Sequence, residues 1–262
     1  MSEIFKIGTS GYSFADWVGP FYPEGIEKGK MLDFYKDHFN CVEINSTYYR
    51  IPHAKVFYYM SEKVPDDFKF FVKTHKDLTH TRDETTDSSS KLLEAVKPIE
   101  ETGKLEGFLA QFPWSFKLNR KNLEYLKRHL HDYGDHPLFL EFRHDSWVRS
   151  ELFEMLKREG VGYCNVDEPQ LEGMLGPGGQ ATTDIGYVRF HGRNKDKWWG
   201  GGGERYDYNY SDDEMRGWLK YLKQLKENSN SVYLFFNNCH QGQAVKNAKI
   251  LMQILQEEFG EE

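Results

Sequence analysis

Cysteine is scarce in this chain, and none of it is usefully spaced. The three cysteines, Cys41, Cys164 and Cys239, are far apart and odd in number, which excludes a disulfide framework and any CxxC metal or redox motif. A reducing, cytoplasmic setting is the expectation. No apolar run approaches the ~20 residues that span a bilayer. The opening MSEIFKIG has no basic stretch leading into an apolar one, so neither membrane insertion nor a secretory signal is expected. Positive charge is not in excess: 34 Lys and Arg face 41 Asp and Glu, a formal net charge of −7. That balance disfavours a general nucleic-acid coat while leaving room for a local basic pocket. Also lacking are a glycine-rich dinucleotide fingerprint after the first strand, an HExxH pair and a Lys-Ser/Thr after the run Gly200–Gly203.

What is plentiful is aromatic: 19 Phe, 16 Tyr and 6 Trp in 262 residues. Short β-branched and aromatic runs predict strands at 5–11, 41–47, 69–75, 107–112, 138–143, 162–167, 186–191 and 231–238, with starts 24 to 45 residues apart. Such gaps suit crossover helices and are too long for hairpins. Helical spacing fills most of them, as in Leu92, Leu93, Val96 and Ile99, in Leu123, Leu126 and Leu130, and in Ala244, Val245, Ala248, Leu251 and Leu255. Ser211-Asp-Asp-Glu214 is a capping box that opens the seventh helix. Residues 168–185, EPQLEGMLGPGGQATTDI, are rich in Gly and Pro, so the sixth helix is expected to be short or missing. Eight alternations in one stretch without a linker predict a single-domain (β/α)8 TIM barrel over residues 1–262.

A barrel of this kind carries its chemistry at the carboxyl ends of the strands. Residues two apart on a strand face the same way, which collects Glu43 and Asn45, Lys73 and His75, Gln111, Glu141 and Arg143, Asn165 and Asp167, Arg189, His191 and the following Arg193, and Asn237. Barrel interiors are normally filled with Val, Ile and Leu, so this density of charge exceeds what folding asks for. Arg143, Arg189, Arg193 and Lys73 suit an anion clamp. Glu43, Glu141, Asp167 and His191 are the candidates for moving protons. The glycine-rich loop at 193–205, with Lys195, Lys197, Trp198, Trp199 and Arg205, reads as a mobile lid. Tyr48, Trp114, Trp147 and the paired tryptophans offer ring faces for a sugar or base. Lys73 as a Schiff-base former and Cys239 as a nucleophile rank below an anion contact and a neutral small residue. No cofactor is expected; a divalent metal on His75, His191, Glu43, Glu141 or Asp167 is the weaker alternative, because the neighbouring cations would repel it.

The blocks GTSGYSFADWVGPFYP (8–23), EINSTYYRIP (43–52), FVKTHKDLTH (71–80), EFRHDSW (141–147), VRFHGR (188–193) and FNNCHQGQAVKNA (236–248) make the chain similar to the YecE-like (YunF-type) bacterial family, the domain of unknown function seventy-two. The resemblance runs nearly end to end and implies a TIM barrel. It adds His80 to the marked positions, assigns no residue a role and implies no activity. Tyr12, Trp114 and Cys239 depart mildly from its usual blocks. Its likeness to endonuclease-IV-type barrels suggests phosphodiester chemistry by analogy alone. The resulting expectation is an enzyme acting on a phosphorylated or other anionic small molecule, a nucleotide or sugar. A nucleic-acid binder and a non-catalytic metabolite-binding module are the alternatives.

Overall fold

The eightfold alternation becomes one ring of parallel strands in the computed structural model, which describes residues 4–83 and 86–260. The strands are β1 (Phe5–Thr9), β2 (Cys41–Ile44), β3 (Lys69–Lys73), β4 (Leu105–Gln111), β5 (Leu138–Glu141), β6 (Gly162–Asp167), β7 (Ile185–Phe190) and β8 (Ser231–Phe236). From β2 to β8 each pairs with its sequence neighbour, and β1 pairs with β8. The helices are α1 (Met31–Tyr35), α2 (Ala54–Lys63), α3 (Ser88–Glu101), α4 (Arg120–His129), α5 (Ser150–Glu159), α6 (Asp212–Arg216), α7 (Leu219–Asn228) and α8 (Gln243–Phe259). The (β/α)8 TIM barrel expected from the strand spacing is the fold observed. The capping box is formed as Ser211 and Glu214 bond reciprocally, although the helix it opens breaks near Gly217 into α6 and α7. Among the described residues no helix is long and apolar enough to cross a membrane.

No helix connects β6 to β7. Residues 168–184 instead lie as an irregular strap against the barrel wall. Asn165, on the outer face of β6, exchanges two hydrogen bonds with Gln180, and Thr182 donates to the Val161 carbonyl. These contacts supply the backbone partners that a helix would have provided internally.

Aromatic rings fill the barrel's interior. Phe71 lies 4.8 Å from Tyr187, 5.5 Å from Phe139 and 5.5 Å from Phe235, centroid to centroid, all edge-on. Glycine makes the room: a Cβ on Gly162 would sit 2.2 Å from the Phe139 ring. These four rings form a solid floor beneath the strand ends, and the charged groups stand above it.

The ring of strands closes weakly between β1 and β2. The two meet at an isolated bridge between Ser10 and Glu43, where Gly11 N–H donates to the Glu43 carbonyl at 2.8 Å. Below that point a side chain completes the seam. The Tyr35 hydroxyl accepts from Thr9 N–H at 3.0 Å and donates to the Cys41 carbonyl at 3.1 Å, standing in for a missing rung. Tyr35→Phe should therefore leave a buried donor and a buried acceptor unpaired, lowering stability by roughly 2–4 kcal/mol in urea denaturation while keeping the far-ultraviolet circular dichroism of the barrel.

Candidate functional site

Two arginines organise the upper end of the barrel. Arg189, on β7, is fully buried and donates through Nη1 to Glu141 at 2.5 Å and through Nη2 to Glu43 at 2.7 Å. Arg143 follows Glu141 on the same face two residues on. It donates through Nε to Glu141 at 2.5 Å and through Nη1 to Glu168 at 3.0 Å. The result is a row of alternating charge, Glu43–Arg189–Glu141–Arg143–Glu168, crossing from β2 to the end of β6. Tyr187 adds a hydroxyl donor to Glu43 at 2.6 Å, and Leu175 N–H donates to Glu168 at 3.1 Å.

Burial alone would raise the Glu141 carboxyl, but Arg143 and Arg189 outweigh it and hold the group well below the usual carboxylate range. Glu168 has a weaker set of partners, and burial pushes it up to about 7. The His191 ring is enclosed, and burial together with Arg143 brings it down to about 3. In a neutral ring Nε2–H can donate to Glu141, 3.2 Å away, and Nδ1 accept from the Asn237 amide, 3.0 Å away, with Arg143 Nη2 lying 3.1 Å from Nε2. His191 is thus a fixed hydrogen-bonding bracket between β5 and β8.

Above this row opens a cavity of about 440 Å³. Lys73 and Gln111 line one side, Arg143, Arg189 and Asn237 the floor, and Asn45, Tyr48 and His80 the wall beside β2 and β3. The loop after β7 supplies Trp198, Trp199, Arg205 and Tyr206, with Trp199 packed edge-on against Trp114 at 5.4 Å. Of the described residues lining the cavity, none is Asp or Glu. The Lys73 amine donates to Gln111 Oε1 at 2.9 Å and lies over the Tyr48 ring at 4.6 Å. Burial, then Arg189, brings it down to about 7. His80, on a π-helical turn at Asp77–Thr81, is lowered to about 4 by burial and by Lys73. The Asn45 side-chain oxygen is buried with no hydrogen-bond partner among the described residues.

The strand-end residues thus gather largely as the alternation predicts, with exceptions that have clear causes. Asp167 and Arg193 are not at the mouth. They form a two-point pair at 2.8 and 2.6 Å on the outer side, where Tyr210 and Trp218 also donate to Asp167. On β6 the inward positions are Gly162 and Cys164, whose thiol faces Glu141, so the inward acid is Glu168, one residue past the one that the pattern selected. Nothing in the spacing of NVDEP separates the two acids. Trp147 is wholly buried, stacked between Phe142 and Phe116, with its indole N–H bonded to the Phe116 carbonyl. His75 turns outward to Asp77 at 3.0 Å. Burial pushes the Cys239 thiol well up, so it stays protonated at the rim. Among the described residues no group of three or more His, Cys, Asp or Glu side chains stands ready to hold a metal ion.

Comparison with known proteins adds a family. A family model described as "Protein of unknown function DUF72" matches residues 6–262. The chain is 34% identical to the UPF0759 protein YunF of Bacillus subtilis, covering 98% of this chain and 96% of that one. Among solved structures it is similar to a DUF72 family protein of Thermotoga maritima, with a TM-score of 0.89, 39% identity, and coverage of 97% and 99%. A DUF72 family protein of Enterococcus faecalis, at 24% identity, shares the fold with a TM-score of 0.85 over 96% of this chain and 95% of the other.

The charge row and the histidine bracket each have a measurable consequence. Arg189→Met strands Glu43 and Glu141 in the interior, so unfolding free energy should fall by about 3–5 kcal/mol. The His191 value of about 3 lies below its ordinary 6.5. The unfolded chain therefore takes up a proton that the folded one refuses, and this contribution to stability is present above pH 6.5 and lost as pH falls toward 3. Urea midpoints measured down to about pH 5 should decline less steeply in His191→Asn than in the wild type, by up to about 1.4 kcal/mol per pH unit.

Proposed function

This chain belongs to the DUF72 family of proteins of unknown function, and for it we propose an enzyme that acts on a small anionic molecule, a phosphorylated sugar or nucleotide, seated in the mouth of the barrel. One observation carries the reading. In a chain with net charge −7, the cavity is lined by Lys73, Arg143, Arg189 and Arg205 and, among the described residues, by no carboxylate. The acids Glu43, Glu141 and Glu168 lie beneath the guanidiniums and hold them in place. Their charge stabilises the arginines without facing the guest. The ionisable side chains that face the opening are thus mostly basic although the chain as a whole is acidic.

The rest of the wall suits the same class of molecule. A cavity of about 440 Å³ matches a metabolite. Tyr48, Trp114 and Trp198 offer flat apolar faces for a sugar or base. Asn45 and Asn237 offer polar groups for hydroxyls. Glu43 and Glu141 are bonded to arginines, and His191 is held between Glu141 and Asn237, so the proton-moving role passes to Lys73 and His80, which face the guest. Arg205 donates from Nε to the Gly202 carbonyl at 2.9 Å and lies beside the Tyr206 ring, which leaves its terminal nitrogens for an anion.

Calorimetric titration with phosphorylated sugars and nucleotides and with their unphosphorylated counterparts tests this. The anionic forms should bind and the neutral forms should bind much more weakly. Arg205→Gln should weaken the anionic forms about tenfold, the equivalent of about 1.4 kcal/mol, without lowering the melting temperature. Equal binding of neutral and anionic forms would overturn the reading. Binding confined to oligonucleotides and steeply dependent on salt would replace it with the nucleic-acid alternative.

A further inference from the structure

The geometry points to Lys73 as an amine nucleophile that forms an imine with an aldehyde, ketone or oxo-acid carbonyl of the molecule seated in the mouth. This rests on the reading of the mouth as the seat of an anionic guest and adds the chemistry that would follow binding.

A buried lysine is usually held as an ammonium by a set of oxygen acceptors, and the chain contains such a case. Lys104 donates to the carbonyls of Ser61 at 2.9 Å and Val64 at 3.1 Å, with Asp66 at 3.6 Å. Lys73 differs in every respect. Its single oxygen acceptor among the described residues is the neutral amide of Gln111. No carboxylate of the described residues comes within 4.0 Å of its nitrogen. The acids that would pair with it, Glu43 and Glu141, are already taken by Arg189 and Arg143.

The amine is also well aimed. It lies at the end of β3 directly above Phe71, and Thr47 Oγ1 donates to its carbonyl at 2.6 Å, fixing the strand end. Gln111 is fixed in turn, its amide nitrogen donating to the Phe112 carbonyl at 2.9 Å, so its oxygen stays turned toward Lys73. A neutral amine satisfies that oxygen with one N–H and keeps its lone pair free. The surroundings favour this neutral form: burial and the two guanidiniums bring the group down to about 7. A lysine desolvated beside other cations is a recognised form of activated amine nucleophile.

The step balances without a further reagent. The Nζ lone pair adds to the carbonyl carbon, a C–N bond forms, and the carbonyl electron pair moves to oxygen to give a carbinolamine. The C–O bond then breaks. Its oxygen leaves as water, carrying the proton shed by the amine and a second proton taken up from solvent. A protonated imine remains on Lys73. The buried, unpartnered oxygen of Asn45 is at hand to accept from a guest hydroxyl.

The test is reductive trapping. The protein is incubated near pH 7 with glyceraldehyde 3-phosphate, pyruvate or pyridoxal phosphate and sodium cyanoborohydride, then analysed by intact-mass and peptide mass spectrometry. At that pH the neutral fraction of Lys73 is on the order of a thousandfold above that of an ordinary lysine. One adduct should form, with the mass of the carbonyl compound less one oxygen, on the peptide containing Lys73 and at least about tenfold faster than on any other lysine. Lys104→Arg should retain it. Lys73→Arg should abolish it while remaining folded by circular dichroism, and Gln111→Glu, which adds a partner carboxylate, should slow it if Lys73→Arg misfolds. Absence of this adduct in a protein that still binds anionic ligands would overturn the nucleophile and leave the anion site standing. Labelling spread over surface lysines and unchanged in Lys73→Arg would likewise overturn it. Absence of both adduct and anion binding would remove the two proposals together.

Discussion

Everything at the upper end of this barrel depends on the alternating row from Glu43 to Glu168. Each member is buried or nearly so, and each carboxylate in it lies within 3.0 Å of a guanidinium nitrogen. Such a row is a poor investment for stability alone, because apolar side chains of similar volume often serve as well. Its geometry does something apolar packing cannot. The two guanidiniums line the cavity and the three carboxylates that hold them do not. Five charges with a net of one negative thus produce an opening whose lining is positive. The same row exhausts the local acids, which leaves Lys73 with an amide and a ring for company.

Much of the fold was legible because its signals are periodic. Eight β-rich runs spaced for crossover helices define a barrel, and the Gly- and Pro-rich stretch before β7 correctly marks the absent helix. Most of the mouth was legible too, since Glu43, Glu141, Arg143, Arg189, His191 and Asn237 follow from alternation on well-bounded strands. The failure on β6 is instructive. Alternation fixes a face only when one inward residue is known, and every residue of that strand is buried. Glycine is the signal that could have set the phase: Gly162 is inward because Phe139 needs its space, and counting in twos from it leads to Glu168.

Other features had no local signature. Trp147 looks like a rim aromatic in sequence, but its place in a stack with Phe116 and Phe142 depends on where two separate loops fold. The closure of β1 on β2 by a phenol is equally invisible, because Tyr35 belongs to a five-residue helix with too short an apolar pattern to detect. The sharing of acids between two arginines is a three-dimensional fact. It decides that Arg143 and Arg189 are held in place by carboxylates, and that Asp167 and Arg193 bind each other on the far side of the wall.

The packed rings of Phe71, Phe139, Tyr187 and Phe235 make the barrel a cup more than a tube. The cavity above them opens between Tyr48 and Trp198. Access to such a vessel is governed at its brim, and the tryptophan-bearing loop after β7 stands there.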